Sequence, residues 1–228
     1  MKEIFKRNGI ILTDEQEKKF VIYRNLLKEY NEKFNLTSIT EDEEIAVKHF
    51  VDSVRGLQYL PEKGRIADVG SGAGFPAIPL CIMTEGDGKT FTLLDSLNKR
   101  VGFLKTVIKE LELKNAQAFH TRAEDEARNH RGFYDCVVAR AVAPLAVLCE
   151  YSLPLLRCGG TLVAYKGDAV EEVQNAKNAL KILGGTIKEA ESYVLDEKYK
   201  RCFIIVEKSR ATPLKYPRGQ NKPRNMPL

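Results

Sequence analysis

The chain has 228 residues, of which 43% are hydrophobic and 29% charged, with 16 glycines and 9 prolines. That length suits one domain with at most a small extension, large enough to bury a core without a metal or disulfide staple. The composition excludes collagen-like, disordered and coiled-coil chains. The net charge of +5 is unevenly placed: six cations, no acid and four prolines stand between Lys208 and Leu228, so residues 1–207 are close to neutral. Such a segment is expected to stay unpacked, and either to solubilise the protein or to lie along a polyanion. Five cysteines without a CxxC pair or zinc spacing read as reduced thiols of a cytoplasmic protein. Met1–Arg7 lacks the apolar stretch of a signal peptide, and no apolar run approaches a membrane span.

Residues 1–60 read as a helical extension. Thr13 with Gln16 forms a capping box, and Phe20, Tyr23, Leu27, Tyr30 and Phe34 follow at helical spacing. Thr40 with Glu43 predicts a second box, opening a helix that runs to about Leu57. From Arg65 onward, strands alternate with helices. Expected strands are Ile66–Val69, Thr90–Leu94, Ala116–His120, Tyr134–Ala139 and Thr161–Tyr165. Expected helices are Pro76–Met83, the amphipathic stretch marked by Leu97, Val101, Leu104, Ile108 and Leu111, Pro144–Leu156 with a disturbance at Pro154, and Asp168–Leu183. Two β-like runs, Ile187–Leu195 and Cys202–Val206, close the pattern without a helix between them. The alternation predicts a doubly wound, mainly parallel Rossmann-like α/β sheet over residues 61–208, with an antiparallel hairpin at one edge. Residues 209–228 form the basic, proline-rich tail.

The segment Asp68-Val69-Gly70-Ser71-Gly72-Ala73-Gly74-Phe75-Pro76 carries the densest chemical signal. A strand that runs through glycines into a helix presents backbone N–H groups at the ligand-binding edge of an α/β sheet. A dinucleotide fingerprint would need its third glycine at position 75, where Phe75 stands. The glycines fall instead at 70, 72 and 74 behind the acid Asp68, a pattern suited to a nucleoside carrying an amino-acid tail. S-adenosylmethionine fits that description and NAD does not. Asp95, ending the second strand with Ser96 beside it, is placed to accept hydrogen bonds from ribose hydroxyls. Thr121 to Asp125, after the third strand, falls where adenine is held in such sheets. Arg140 leaves an apolar strand at the same edge and can pair with the methionine carboxylate or a substrate oxygen. Lys166, closing the fifth strand, is a second candidate for positioning substrate. No Asp/Asn-Pro-Pro-aromatic run, Pro-Cys pair or metal spacing is present. An acceptor that needs no deprotonation, such as guanine N7, accounts for the missing base.

These residues, together with Asn35-Leu36-Thr37-Ser38, His49 with Asp52-Ser53, Lys99-Arg100, Arg122-Ala123-Glu124, Ala139-Arg140-Ala141 and Tyr216-Pro217-Arg218, resemble the bacterial small-subunit rRNA guanine-N7 methyltransferases known as glucose-inhibited division protein B or methyltransferase G. The resemblance covers nearly the whole chain. Its tail departs from the family's, reading Gly219-Gln220-Asn221-Lys222-Pro223-Arg224. The resemblance implies a class I S-adenosylmethionine-dependent fold with a seven-stranded sheet. It also implies methylation of one guanine in the decoding-region loop of 16S rRNA, on the small ribosomal subunit or its precursor, by a monomer. Cofactor contacts carry over to Gly70, Phe75, Ala123, Glu124 and Arg140, beside Asp68, Gly72, Gly74, Asp95 and Ser96 from the loop argument. Lys215, Arg218, Lys222 and Arg224 are expected to contact RNA phosphates, and removing the tail is expected to leave cofactor binding untouched. A small-molecule methyltransferase and a non-catalytic rRNA-binding assembly factor are the competing readings.

Overall fold

The computed structural model describes residues 1–167 and 170–228; the expected helix start at Asp168 lies outside them. Two helices open the chain, α1 (Lys2–Arg7) and α2 (Asp14–Phe34). The Thr13–Gln16 capping box forms as expected, each side chain bonding the other's backbone N–H. The second box does not form. Its helix begins with α3 (Asp42–Glu44) behind Glu41, without a side-chain cap, because Glu43 is held by Arg7 at 2.7 Å. Nor is that helix uniform: a π-helical stretch, Ile45–Val51, passes into α4 (Asp52–Val54) and then a 3₁₀ turn, Arg55–Tyr59. Single π-type turns inside helices recur at functional sites, and this one carries Lys48 and His49.

The strands are β1 (Gly64–Val69), β2 (Lys89–Asp95), β3 (Ala116–His120), β4 (Tyr134–Arg140), β5 (Leu156–Lys166), β6 (Gly185–Leu195) and β7 (Tyr199–Lys208). They form one sheet in the order β3-β2-β1-β4-β5-β7-β6. The first five are parallel, and β7 pairs antiparallel with both β5 and β6, so the closing hairpin lies at the edge as its missing helix implied. The helices between them are α5 (Ala77–Met83), α6 (Asn98–Glu110), α7 (Ala123–Asn129), α8 (Leu145–Ser152), α9 (Val170–Asn175) and α10 (Lys177–Leu183). Helix α8 stops four residues short of the expected end. The ring of Pro154 supplies no N–H to continue it, and β5 starts at Leu156 instead of Thr161.

Strand residues point alternately to the two faces of the sheet, and here the two faces build two cores. Ile66, Cys136, Val138, Val163 and Tyr165 face a layer that includes α2, α5, α6 and the π turn. Ala67, Val137, Ala139, Leu162 and Ala164 face a layer with α8 and α10. An aromatic chain runs through the first layer, from Phe5 to Phe20, Phe50, Tyr23 and Phe75, with centroids 4.8–5.5 Å apart. The Tyr165 hydroxyl donates to the Ser53 carbonyl at 2.7 Å. Gly56 must lack a side chain there, since a Cβ would lie 1.9 Å from the Tyr165 hydroxyl.

The basic tail is packed, contrary to expectation. Thr212 donates to the Leu183 carbonyl at 2.8 Å, Tyr216 is buried, and a short helix, α11 (Lys222–Asn225), lies against α8 with Pro223 inward. The reason is electrostatic. Glu150 of α8 is 1% exposed, and a buried carboxylate requires a partner. Arg218 supplies it, with Nη2 at 2.6 Å and Nε at 2.9 Å. Arg218 is thereby withdrawn from the expected phosphate contacts. Replacing Arg218 with Ala should lower unfolding free energy by about 3 kcal/mol, because it strands Glu150; urea denaturation measures this, and a change within about 0.5 kcal/mol is the surface-residue outcome.

Candidate functional site

The strand order reverses between β1 and β4, and ligands of open α/β sheets bind in the crevice at such a point. The loop leaving β1 is clamped to the neighbouring strand, with Gly70 N and Ser71 N both donating to the Leu94 carbonyl. Its three glycines have positive φ, and only Gly72 faces open space: a Cβ built there meets nothing closer than 3.9 Å. A Cβ on Gly74 would strike Ile78 and the Tyr23 hydroxyl at 2.7 Å, and one on Gly70 would strike Val142 at 2.8 Å. Packing therefore requires two of the glycines, and the third leaves a cradle.

Asp95, at the end of β2, holds this loop. Its carboxylate accepts from Gly72 N and Leu97 N, both at 2.9 Å, with Arg100 at 3.7 Å. A cavity of about 420 Å³ opens beside it, lined by Gly70, Asp95, Ser96, Ala123 and Glu124 and also by Val142, Tyr151, Asn221 and Arg224. The expected residues Asp68, Gly72, Gly74, Phe75 and Arg140 are not among those that line it: strand parity turns Asp68 and Arg140 toward the face covered by the N-terminal helices, and Phe75 is buried between His49 and Arg140. The Asp68 carboxylate is fully buried and neither oxygen finds a partner of good geometry. Burial pushes its pKa up to about 7, against the weaker pull of the nearby Ser71 hydroxyl and Ala77 N–H.

Arg140 shares the parity of Cys136 and Val138, so it enters the face covered by the N-terminal helices. Its Nη1 donates to Asp52 Oδ2 at 2.9 Å and to the Lys48 carbonyl at 3.0 Å, and its Nη2 donates to His49 Nδ1 at 3.0 Å. The guanidinium lies 4.8 Å over the Phe75 ring, which itself stacks on His49 at 4.3 Å. Burial, and then the Arg140 charge, push the His49 pKa down to about 3. His49 is therefore neutral. Since Nδ1 accepts from Arg140, the proton sits on Nε2 and is donated to Thr37 Oγ1 at 2.8 Å. Asp52 Oδ1 accepts from the Tyr193 hydroxyl at 2.9 Å and has Arg201 at 3.5 Å.

A second cavity, about 620 Å³, opens on the other side of Ala141 and Val142 and is lined by His49, Asp52, Arg140, Tyr165, Lys166 and Arg201, among others. The wall between the cavities is strained: Ala141 has φ 56°, a left-handed conformation that side chains other than glycine seldom adopt. Lys166 reaches this cavity, but its ammonium is engaged by the Ala143 carbonyl at 2.6 Å and Glu172 at 3.0 Å. Arg140 retains two of its five N–H donors after the three bonds above. The arrangement offers one polar nucleoside-sized cavity and one larger cavity beside it, with a buried arginine at the junction.

The fold and crevice define a class I S-adenosylmethionine-dependent methyltransferase. Solved structures of similar fold include a ribosomal protein L11 methylase from Lactobacillus delbrueckii subsp. bulgaricus (TM-score 0.55, 14% identity, 72% of this chain and 79% of that one). Another is TYW2 from P. horikoshii, in complex with MeSAdo (TM-score 0.55, 11% identity, 71% of this chain and 63% of that one). The sequence profile of the GidB family, rRNA small subunit methyltransferase G, matches residues 16–202, and the chain belongs to that family. Curated relatives include the ribosomal RNA small subunit methyltransferase G of Desulfitobacterium hafniense, 50% identical over 98% of this chain and 94% of the relative. That of Acetivibrio thermocellus is 47% identical over 96% and 92%.

Sequence reasoning on β-strand ends reached Asp95 and Arg140 but missed what Arg140 binds. Polar Lys48, His49, Asp52 and Ser53 interrupt the apolar run Ile45–Val54 on one helical face; that was the available signal. Tyr193 and Arg201 carried none.

The orphaned Asp68 has a measurable consequence. Its folded pKa lies above the unfolded value of about 3.9, so the protonated form stabilises the fold at low pH and that stabilisation is lost as pH rises to about 7. An Asp68→Asn variant should gain stability relative to the parent with rising pH between about 4 and 7, by up to about 1.4 kcal/mol per pH unit, and level off above. Urea unfolding across that range tests it, and a pH-independent difference contradicts it.

Proposed function

We propose that the chain transfers a methyl group from S-adenosylmethionine to N7 of a guanine in the decoding-region loop of 16S rRNA, on the small subunit or its precursor in the cytoplasm. The observation that carries the reading is the pair of cavities meeting at Ala141 and Val142, one beside Asp95 and the Gly72 cradle, the other beside Arg140. The residues present fit the cofactor. Gly70 brings the loop backbone to the cavity wall, and Asp95 and Glu124, which also line it, offer carboxylate acceptors for ribose and adenine.

When bound, the cofactor supplies an electrophilic sulfonium methyl, which N7 can take in line because its lone pair is free at neutral pH. No proton has to be removed, and the site needs no base. His49, kept neutral by burial and Arg140, suits a site whose product guanine is cationic. Catalysis in this reading comes from alignment: Arg140 is fixed by three acceptors, and its remaining N–H groups are available to guanine O6 or a carboxylate. The fold alone does not choose the acceptor; family membership and the cavity beside Arg140 support rRNA. No described helix is long and apolar enough to cross a membrane.

The purified chain, given S-adenosylmethionine and small subunits lacking the modification, should produce one 7-methylguanine in 16S rRNA by mass mapping. Asp95→Ala should weaken cofactor binding by roughly ten- to a hundredfold, the loss of charge-assisted hydrogen bonds. Calorimetry on the folded variant measures it. Unchanged affinity contradicts the cofactor pocket, and a methylated position other than N7 contradicts the proposed acceptor.

A further inference from the structure

We infer that the C-terminal segment is part of the cofactor site: Asn221 and Arg224 complete the nucleoside pocket, and the tail's order is coupled to cofactor binding. This rests on assigning the cavity beside Asp95 to the cofactor. Both residues line that cavity together with Asp95 and Glu124. Arg122, the residue before α7, donates Nη1 to Asn221 Oδ1 at 3.0 Å, so a hydrogen bond joins the segment after β3 to the tail within the cavity lining. Arg224 Nη2 donates to the Val142 carbonyl at 3.2 Å, on the strained wall that separates the two cavities, and its charge bears on the Tyr151 phenol.

The tail is held in this place by contacts of its own. Arg218 is paired with buried Glu150, Tyr216 and Pro223 are buried, and Arg131 donates to the Tyr216 carbonyl. A planar guanidinium and an amide at a nucleoside pocket supply what a purine and ribose recognise, namely donors in a fixed fork and a flat face for stacking. Three of the tail's charges had been expected on RNA phosphate together with Lys215. Arg218 is instead paired with buried Glu150, and Arg224, although exposed like Lys215 and Lys222, has its guanidinium on the Val142 carbonyl at the cavity wall. Removing the tail should therefore affect cofactor affinity, reversing the expectation from composition.

The test is calorimetric titration of S-adenosylhomocysteine into the full chain, into Arg224→Ala, and into a chain ending at Gly219 that keeps the Arg218–Glu150 pair. Both alterations should weaken binding by about tenfold or more, with Arg224→Ala unfolding at the parent's denaturant midpoint. Because coupling is reciprocal, S-adenosylhomocysteine should in turn slow tryptic cleavage after Arg218 and Arg224. Parent affinity in both altered chains overturns the inference, as does parent affinity combined with a shallower salt dependence of rRNA binding, which is the behaviour of a pure RNA handle. Should Asp95→Ala bind weakly while Arg224→Ala and the shortened chain both bind normally, the pocket assignment stands and the tail's role falls. Should Asp95→Ala also bind normally, both fall.

Discussion

The Arg140–Asp52 pair joins the two halves of this molecule. Asp52 is 2% exposed and belongs to the N-terminal helices, whereas Arg140 ends β4. A charge in such a place is costly unless it is paired and its remaining hydrogen-bonding capacity is met. Here it is met from several directions: the Lys48 carbonyl and His49 from the π turn, the Phe75 face from the glycine loop, Tyr193 from β6 and Arg201 from β7. Each is a separate segment of chain, and each is fixed in position by the same two charges. The helices before β1 are thus a working part of the sheet's crevice.

From that junction the site divides in two. The loop after β1 and the carboxylate of Asp95 shape one cavity, and the residues around Arg140 and Lys166 shape the other. Ala141 and Val142 form the wall between them, and the left-handed backbone at Ala141 is held there by what surrounds it. Asp68 stands apart as a buried carboxylate without a hydrogen-bond partner, a state that favours protonation. Unmet polarity of this kind concentrates at functional sites. A ribosomal protein methylase has a similar fold, so the fold by itself does not select an acceptor.

Much of this was legible in the sequence. The strand and helix alternation gave the sheet, because each buried strand is a short apolar run bounded by turn residues. The missing helix between the last two strands gave the antiparallel edge. Asp95 and Arg140 were legible as polar groups at the ends of apolar strands. The fate of the tail was not, since composition reads six cations and four prolines as unpacked; its anchor, Glu150, sits in an apolar helix sixty-eight residues away. Gly70 lines the cavity as expected, but its packing against Val142, and that of Gly74 against Ile78 and Tyr23, were not legible, since only long-range contacts reveal them. The π turn also escaped, because its residues have ordinary helical periodicity and the extra width serves a partner on β4.

The account's central claim is that the Arg140–Asp52 pair couples the helical cap to the sheet. A double-mutant cycle on unfolding free energy, using Arg140→Ala, Asp52→Ala and the pair together, measures that coupling directly. A shared buried network predicts single losses of about 3–5 kcal/mol each and an interaction energy of about 2 kcal/mol or more, since the second substitution removes a charge already stranded by the first. Losses that add to within about 0.5 kcal/mol would show the two residues acting independently, and would contradict it.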